Sequence, residues 1–112
     1  MRYGIIGCGR IAPNHIEAAR NCGIDIVAIC DIVKVRMDET AEIFGLSERV
    51  QLYDDYKQML SREKLQLVAI CTESGKHASI ALDCIAAGCH VIIEKPIALS
   101  LGDADAIIEA GR

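Results

Sequence analysis

Tryptophan is absent from this 112-residue chain, and one phenylalanine with three tyrosines makes up its whole aromatic complement. A core without large rings must be filled by Ile, Val, Leu and Ala, as in a buried parallel sheet flanked by helices. Residues of the hydrophobic class account for 52% of the chain, enough to fill it. Long hydrophobic runs are missing too, since none approaches the roughly 18 residues of a membrane-crossing helix. No block of Lys and Arg occurs and the formal net charge is −4, which argues against a nucleic-acid surface. None of the six cysteines forms Cys-x-x-Cys, and no Cys/His cluster has zinc spacing, so no metal site is expected. Cys30 and Cys71 read as small core filler in a reducing compartment. Cys8 stands apart: it lies inside a glycine loop at a helix start, where a reactive or redox-sensing thiol is one alternative. The N-terminus passes directly into a strand and leaves no room for a signal peptide, so the expected location is cytoplasmic. The length accommodates one domain, 1–112.

What is there is a dinucleotide fingerprint. Ile5-Ile6-Gly7-Cys8-Gly9-Arg10-Ile11-Ala12 is a G-x-G-x-x-A run between an apolar strand and a helix-like stretch, and Asp31 ends the next apolar strand. That context, rather than the glycines alone, marks a nucleotide loop. Gly7 allows the tight turn, Gly9 lets a pyrophosphate approach the backbone, and Ala12 lets helix and strand pack closely. Arg10 and Ile11 then open a helix whose free N–H groups face the phosphates. Asp31 can accept hydrogen bonds from the adenosine ribose and would repel a 2′-phosphate, which favours NAD over NADP. Lys34 and Arg36 lie close enough to temper that preference.

Strand and helix patterns alternate throughout. Strands are expected at about 2–6, 25–30, 50–53, 67–71 and 90–94, and helices at about 10–22, 34–44, a short one after Asp54, 76–87 and 100–110. Met37, Ala41 and Phe44 share one face of the second helix, and Ser100-Leu101-Gly102-Asp103 reads as a capping box. Such alternation predicts a Rossmann-type doubly wound parallel sheet, three layers α/β/α, with strand order 3-2-1-4-5. Ligands of such sheets bind at the carboxyl ends of the strands. Two more motifs fall on that rim. Thr72-Glu73-Ser74-Gly75-Lys76-His77 follows the fourth strand; Thr72 and Ser74 can hydrogen-bond a ligand, whereas His77 alone reads as a histidine bonded locally at a helix start. Glu94-Lys95-Pro96 ends a very apolar strand, and a lysine there can donate a proton or a charged hydrogen bond to a reacting oxygen. An exposed ion pair of little worth is the alternative for Glu94 and Lys95.

The loop Gly7 to Ala12, Cys30-Asp31, the Thr72 to His77 run and Glu94-Lys95-Pro96, in this order, resemble the Gfo/Idh/MocA family of NAD(P)-dependent sugar oxidoreductases, over essentially the whole chain as the family's N-terminal domain. The resemblance implies a nicotinamide dinucleotide cofactor, a sugar, nucleotide-sugar or cyclitol substrate, and a catalytic Lys95 near the nicotinamide. By the same resemblance Thr72, Ser74 and His77 line the cofactor beside Glu94. Glu73 stands where the family often has proline. Ser74-Gly75 and the Gly9 to His15 opening look like members acting on nucleotide-linked sugars, UDP-N-acetyl-hexosaminuronate dehydrogenases among them. The family's second α/β domain, which supplies most substrate contacts and the usual homo-oligomer interface, is absent from these residues, so the chain reads as the front part of something longer. Two other readings stand beside this one: a nucleotide-sensing module of a regulator without turnover, and a Rossmann-type domain for a flavin or coenzyme A.

Overall fold

The structure is a computed structural model. It describes residues 1–46, 49–95 and 97–112, with Ser74 described by its backbone alone. Pro96, the last residue of the Glu94-Lys95-Pro96 motif, lies outside the described residues. The strands are β1 (Arg2–Ile6), β2 (Asp25–Cys30), β3 (Gln51–Tyr53), β4 (Leu67–Ile70) and β5 (His90–Ile93). Between and after them run α1 (Ala12–Asn21), α2 (Lys34–Ile43), α3 (Tyr56–Arg62), α4 (His77–Ala86) and α5 (Leu101–Ala110), with one 3-10 turn at Ser74–Lys76. All pairings are parallel and the sheet order is β3-β2-β1-β4-β5, as the alternation predicted.

Strand periodicity divides the core into two halves. Tyr3 and Ile5 of β1, Ile29 of β2 and Ala69 of β4 join Ala12, Ile16 and Ala19 of α1 and Met37 of α2. Ile6, Ala28, Cys30, Val68 and Ile70 turn the other way, against Met59 of α3, Ile80, Ala81 and Cys84 of α4 and Ile107 of α5. The result is three layers, with α1 and α2 on one face and α3, α4 and α5 on the other. Gly4 also faces the second core: a Cβ there would lie 2.6 Å from a methyl of Leu65. Among the described residues no helix is long and apolar enough to cross a membrane.

Two local expectations need correction. Asp55, not Asp54, caps α3; its carboxylate accepts the Lys57 N–H at 2.9 Å from an extended backbone, the geometry a helix cap requires. In α2 the fully buried pair is Met37 and Thr40, while Ala41 is half-buried. Thr40 tolerates burial because its hydroxyl donates to the Arg36 carbonyl one turn back, at 2.8 Å. Ser100 does cap α5, accepting the Asp103 N–H at 3.1 Å.

Five of the six thiols are buried and Cys22 is exposed; none is in a disulfide. Burial pushes Cys8 up to about 12, and the nearby Asp31 charge pushes the same way, outweighing the opposing Thr40 hydrogen bond and Arg36 charge. Cys30, Cys71 and Cys84 are likewise held near about 12, chiefly by burial. Cys8 is therefore no reactive thiol, in contrast to the sequence alternative. Its thiol stays protonated, and only a thiolate attacks.

Three outcomes are expected. Alkylation of the folded protein at pH 8, mapped by peptide mass spectrometry, labels Cys22 and spares the other five until denaturant is added. Ile5→Ala, at a fully buried position, lowers unfolding free energy by about 2–5 kcal/mol in urea titration. Ile108→Ala, at a position 53% exposed, changes it by about 0.5 kcal/mol or less.

Candidate functional site

β1 ends at Ile6 and the chain turns through Gly7 with φ of +97°, a region open to glycine and costly for other residues. A Cβ at Gly7 would also stand 2.7 Å from the Cys71 carbonyl carbon and 2.9 Å from the Thr72 nitrogen. That backbone cannot retreat, because the Cys71 N–H donates to the Ile6 carbonyl at 2.8 Å. On the other side the Gly7 N–H donates to the Cys30 carbonyl at 2.7 Å. The loop is thus pinned between the ends of β2 and β4.

Asp31 completes the pinning. It is 6% exposed; one carboxylate oxygen accepts the Cys8 N–H at 2.8 Å and the other accepts the Val33 N–H at 2.8 Å. Each oxygen keeps capacity for a further donor. The loop beyond Cys8 is open: a Cβ built on Gly9 meets nothing within 4 Å. No acceptor among the described residues meets the N–H groups of Gly9, Arg10 and Ile11. α1 has no side-chain cap and no acidic residue in its first turn, so its positive end is left for an anion. Free donors, an open glycine and a braced carboxylate with spare acceptor capacity fit a dinucleotide.

These groups border an open cleft of about 780 Å³ on the carboxyl rim of the sheet. Gly7, Gly9, Arg10, Ile11 and Asp31 line it, as expected, and so does Thr72. Ile6, Cys30 and Cys71 at the strand ends, Ile32 before α2 and Arg36 in its first turn, Asp54, Asp55 and Tyr56 after β3, and Glu73, Lys76 and Ile80 after β4 complete the wall. The residues after β3 escaped the sequence reading, although the rim rule applied to β3 as to β4 would have flagged them. Tyr56 is held in place by its hydroxyl, which donates to Asp83 of α4. Burial, followed by that carboxylate, raises its pKa well above the ordinary phenol value, so it remains a neutral donor.

The other expected site residues do not line this cleft. Ser74 contributes backbone to the 3-10 turn, and its side chain lies outside the described residues. His77 is 1% exposed and its Nε2 lies 2.8 Å from the Thr72 carbonyl, so it braces the loop that carries Thr72. Glu94 and Lys95 stand at the exit of β5, farther along the rim, with Lys95 exposed. The cleft therefore spans the β1–β2–β3 half plus the β4 loop, and the β5 exit flanks the other half of the rim. Glu94 bonds to His15 of α1, with His15 Nε2 and Glu94 Oε1 2.5 Å apart. No pattern in the sequence could have paired these two residues.

The sequence profile described as "Oxidoreductase family, NAD-binding Rossmann fold", GFO_IDH_MocA, matches residues 1–112. D-apiose dehydrogenase of Paraburkholderia graminis is 39% identical over 111 residues, covering 98% of this chain and 29% of that protein. Inositol 2-dehydrogenase of Salmonella typhimurium is 30% identical over 112 residues, covering 98% of this chain and 33% of that protein. The WlbA dehydrogenase of Bordetella pertussis, solved with NADH and UDP-GlcNAcA, superposes with a TM-score of 0.90 at 30% identity, over 99% of this chain and 33% of that one. The chain thus spans about a third of the length of these relatives. With the profile matched from end to end and the braced glycine loop in place, the chain belongs to the GFO_IDH_MocA oxidoreductase family, as its NAD-binding Rossmann domain.

Proposed function

We propose that the full-length protein is an NAD-dependent dehydrogenase acting on a CH–OH group of a sugar, nucleotide-sugar or cyclitol. The observation that carries this reading is the glycine loop braced by Asp31, with three N–H donors free at the start of α1. Those donors, from Gly9, Arg10 and Ile11, bind the pyrophosphate. Asp31 accepts from the adenosine ribose hydroxyls with its remaining lone pairs, and its charge disfavours the 2′-phosphate of NADP. Thr72, on the loop that His77 braces, contacts the middle of the cofactor. NAD supplies the nicotinamide that exchanges hydride with the substrate carbon. Lys95, beside Glu94 at the exit of β5, orients the reacting hydroxyl and handles its proton.

An open cleft does not exclude water, which hydride transfer requires. We assign that closure, most substrate contacts and a homo-oligomer interface to the remainder of the full-length protein. Six unpaired thiols favour a reducing, cytoplasmic location. The relatives act on apiose and inositol by name, which supports a polyhydroxylated substrate. Nucleotide-linked sugars are favoured by the likeness of the Gly9 to His15 opening to enzymes of that kind.

The test is NADH formation by the full-length protein over a panel of sugars, cyclitols and nucleotide-sugars. Turnover with NAD at several times the rate with NADP is expected. No turnover with either nicotinamide, alongside intact NADH binding, would leave a nucleotide sensor as the better reading. Two variants sharpen it. Asp31→Ala removes two charge-assisted hydrogen bonds and should weaken NADH binding about 10–100-fold by calorimetry. Lys95→Ala should lower kcat by about 10²–10⁴ while NADH affinity stays within about twofold.

A further inference from the structure

The His15–Glu94 contact has no part in the reading above. His15 is the fourth residue of α1, within one turn of the free N–H groups. Glu94 is the first residue past β5 and the residue before Lys95. Their side chains are 14% and 28% exposed, so water screens the contact less than it does a surface pair. Glu94 lies on the same strand face as Ile92, opposite Val91 and Ile93, which pack toward α4 and α5. Its carboxylate is therefore directed to the α1 side of the sheet. Among the described residues this is the one hydrogen bond between α1 and the exit of β5.

β5 needs such a fastening. It is a four-residue strand at the edge of the sheet, paired on one side by β4 alone. Its last ladder bond, from the Glu94 N–H to the Ile70 carbonyl, is 3.3 Å long. Among the described residues between Glu94 and the start of α5 at Leu101, none is in a helix or strand. Lys95 is the first of these, and no side-chain bond holds it among the described residues. A group asked to meet a reacting oxygen must be fixed to a fraction of an ångström, and a displacement of about 1 Å costs on the order of 100-fold in rate.

We propose that His15 is a positioning residue for the dehydrogenase reaction. By bonding Glu94 it fastens the exit of β5 to α1, and so fixes Lys95 relative to the N–H groups that hold the pyrophosphate. This rests on the function proposed above. The pair would couple the phosphate end of the site to the proton-handling end through one side-chain contact, across two elements that share no strand pairing.

The experiment compares wild type, His15→Ala and His15→Gln in the full-length protein. His15→Ala is expected to lower kcat about 10–100-fold, with the KM for NAD within about twofold, since the loop that binds the cofactor is untouched. His15→Gln keeps an N–H donor of similar reach and should restore kcat to within about threefold of wild type. Amide hydrogen exchange at 93–95 supplies a readout independent of turnover: it should quicken at least about tenfold in His15→Ala and stay near wild type in His15→Gln. Unchanged exchange at 93–95 in a folded His15→Ala overturns the proposal, as does wild-type kcat in that variant. A Gln variant as impaired as the Ala variant overturns it as well. Should His15→Ala not fold, His15→Ser, which is too short to reach Glu94, replaces it with the same expectations. An inactive wild type whose exchange responds as described would sink the dehydrogenase reading and leave the fastening intact. An active wild type with an indifferent His15 would do the reverse.

Discussion

The buried carboxylate of Asp31 is the contact on which the rest of the site depends. Its two oxygens hold two backbone N–H groups, one from the glycine loop and one from the start of the α2 connection. A charge taken out of water is costly unless hydrogen-bonded, and these bonds supply part of what burial removes. In return the loop is fixed to the end of β2, and the residue proposed to read the ribose also shapes the loop proposed to hold the phosphates. Binding and loop geometry are therefore not separable at this position.

The opposite wall of the loop is set by exclusion. Gly7 packs where a Cβ would overlap the backbone joining Cys71 to Thr72, so β1 and β4 can bring their carboxyl ends together. Thr72 reaches the cleft from that junction, and His77 stiffens it from beneath by contact with the Thr72 carbonyl. The open side of the loop, around Gly9, is left bare by the same turn. One short run of residues thereby supplies a packed face toward the sheet and an empty face toward a ligand.

Much of this was legible in the sequence. Alternating apolar runs and glycine stops gave the element order, and right-handed crossovers then left few topologies other than 3-2-1-4-5. The glycine loop and Asp31 were legible because their spacing reflects a local strand–turn–helix geometry. Less legible was whatever depends on two distant segments meeting. The cap fell on Asp55 rather than Asp54 because the end of β3 sets the chain direction there, and Asp54 is left for the cleft wall. Cys8 read as a candidate nucleophile from its place at a helix start, but burial and a neighbouring carboxylate outweigh the helix. His15 and Glu94 are 79 residues apart, and only the folded sheet brings them together.

The division of the rim has a consequence for how such a domain can diversify. The cleft wall is drawn from the chain between Ile6 and Ile80, whereas Lys95 stands beyond the end of the edge strand and outside it. On the proposed function, substitutions around the exit of β5 would retune what meets the lysine without disturbing the grip on the nucleotide. A scaffold divided in this way would be free to change its substrate while its coenzyme stays the same.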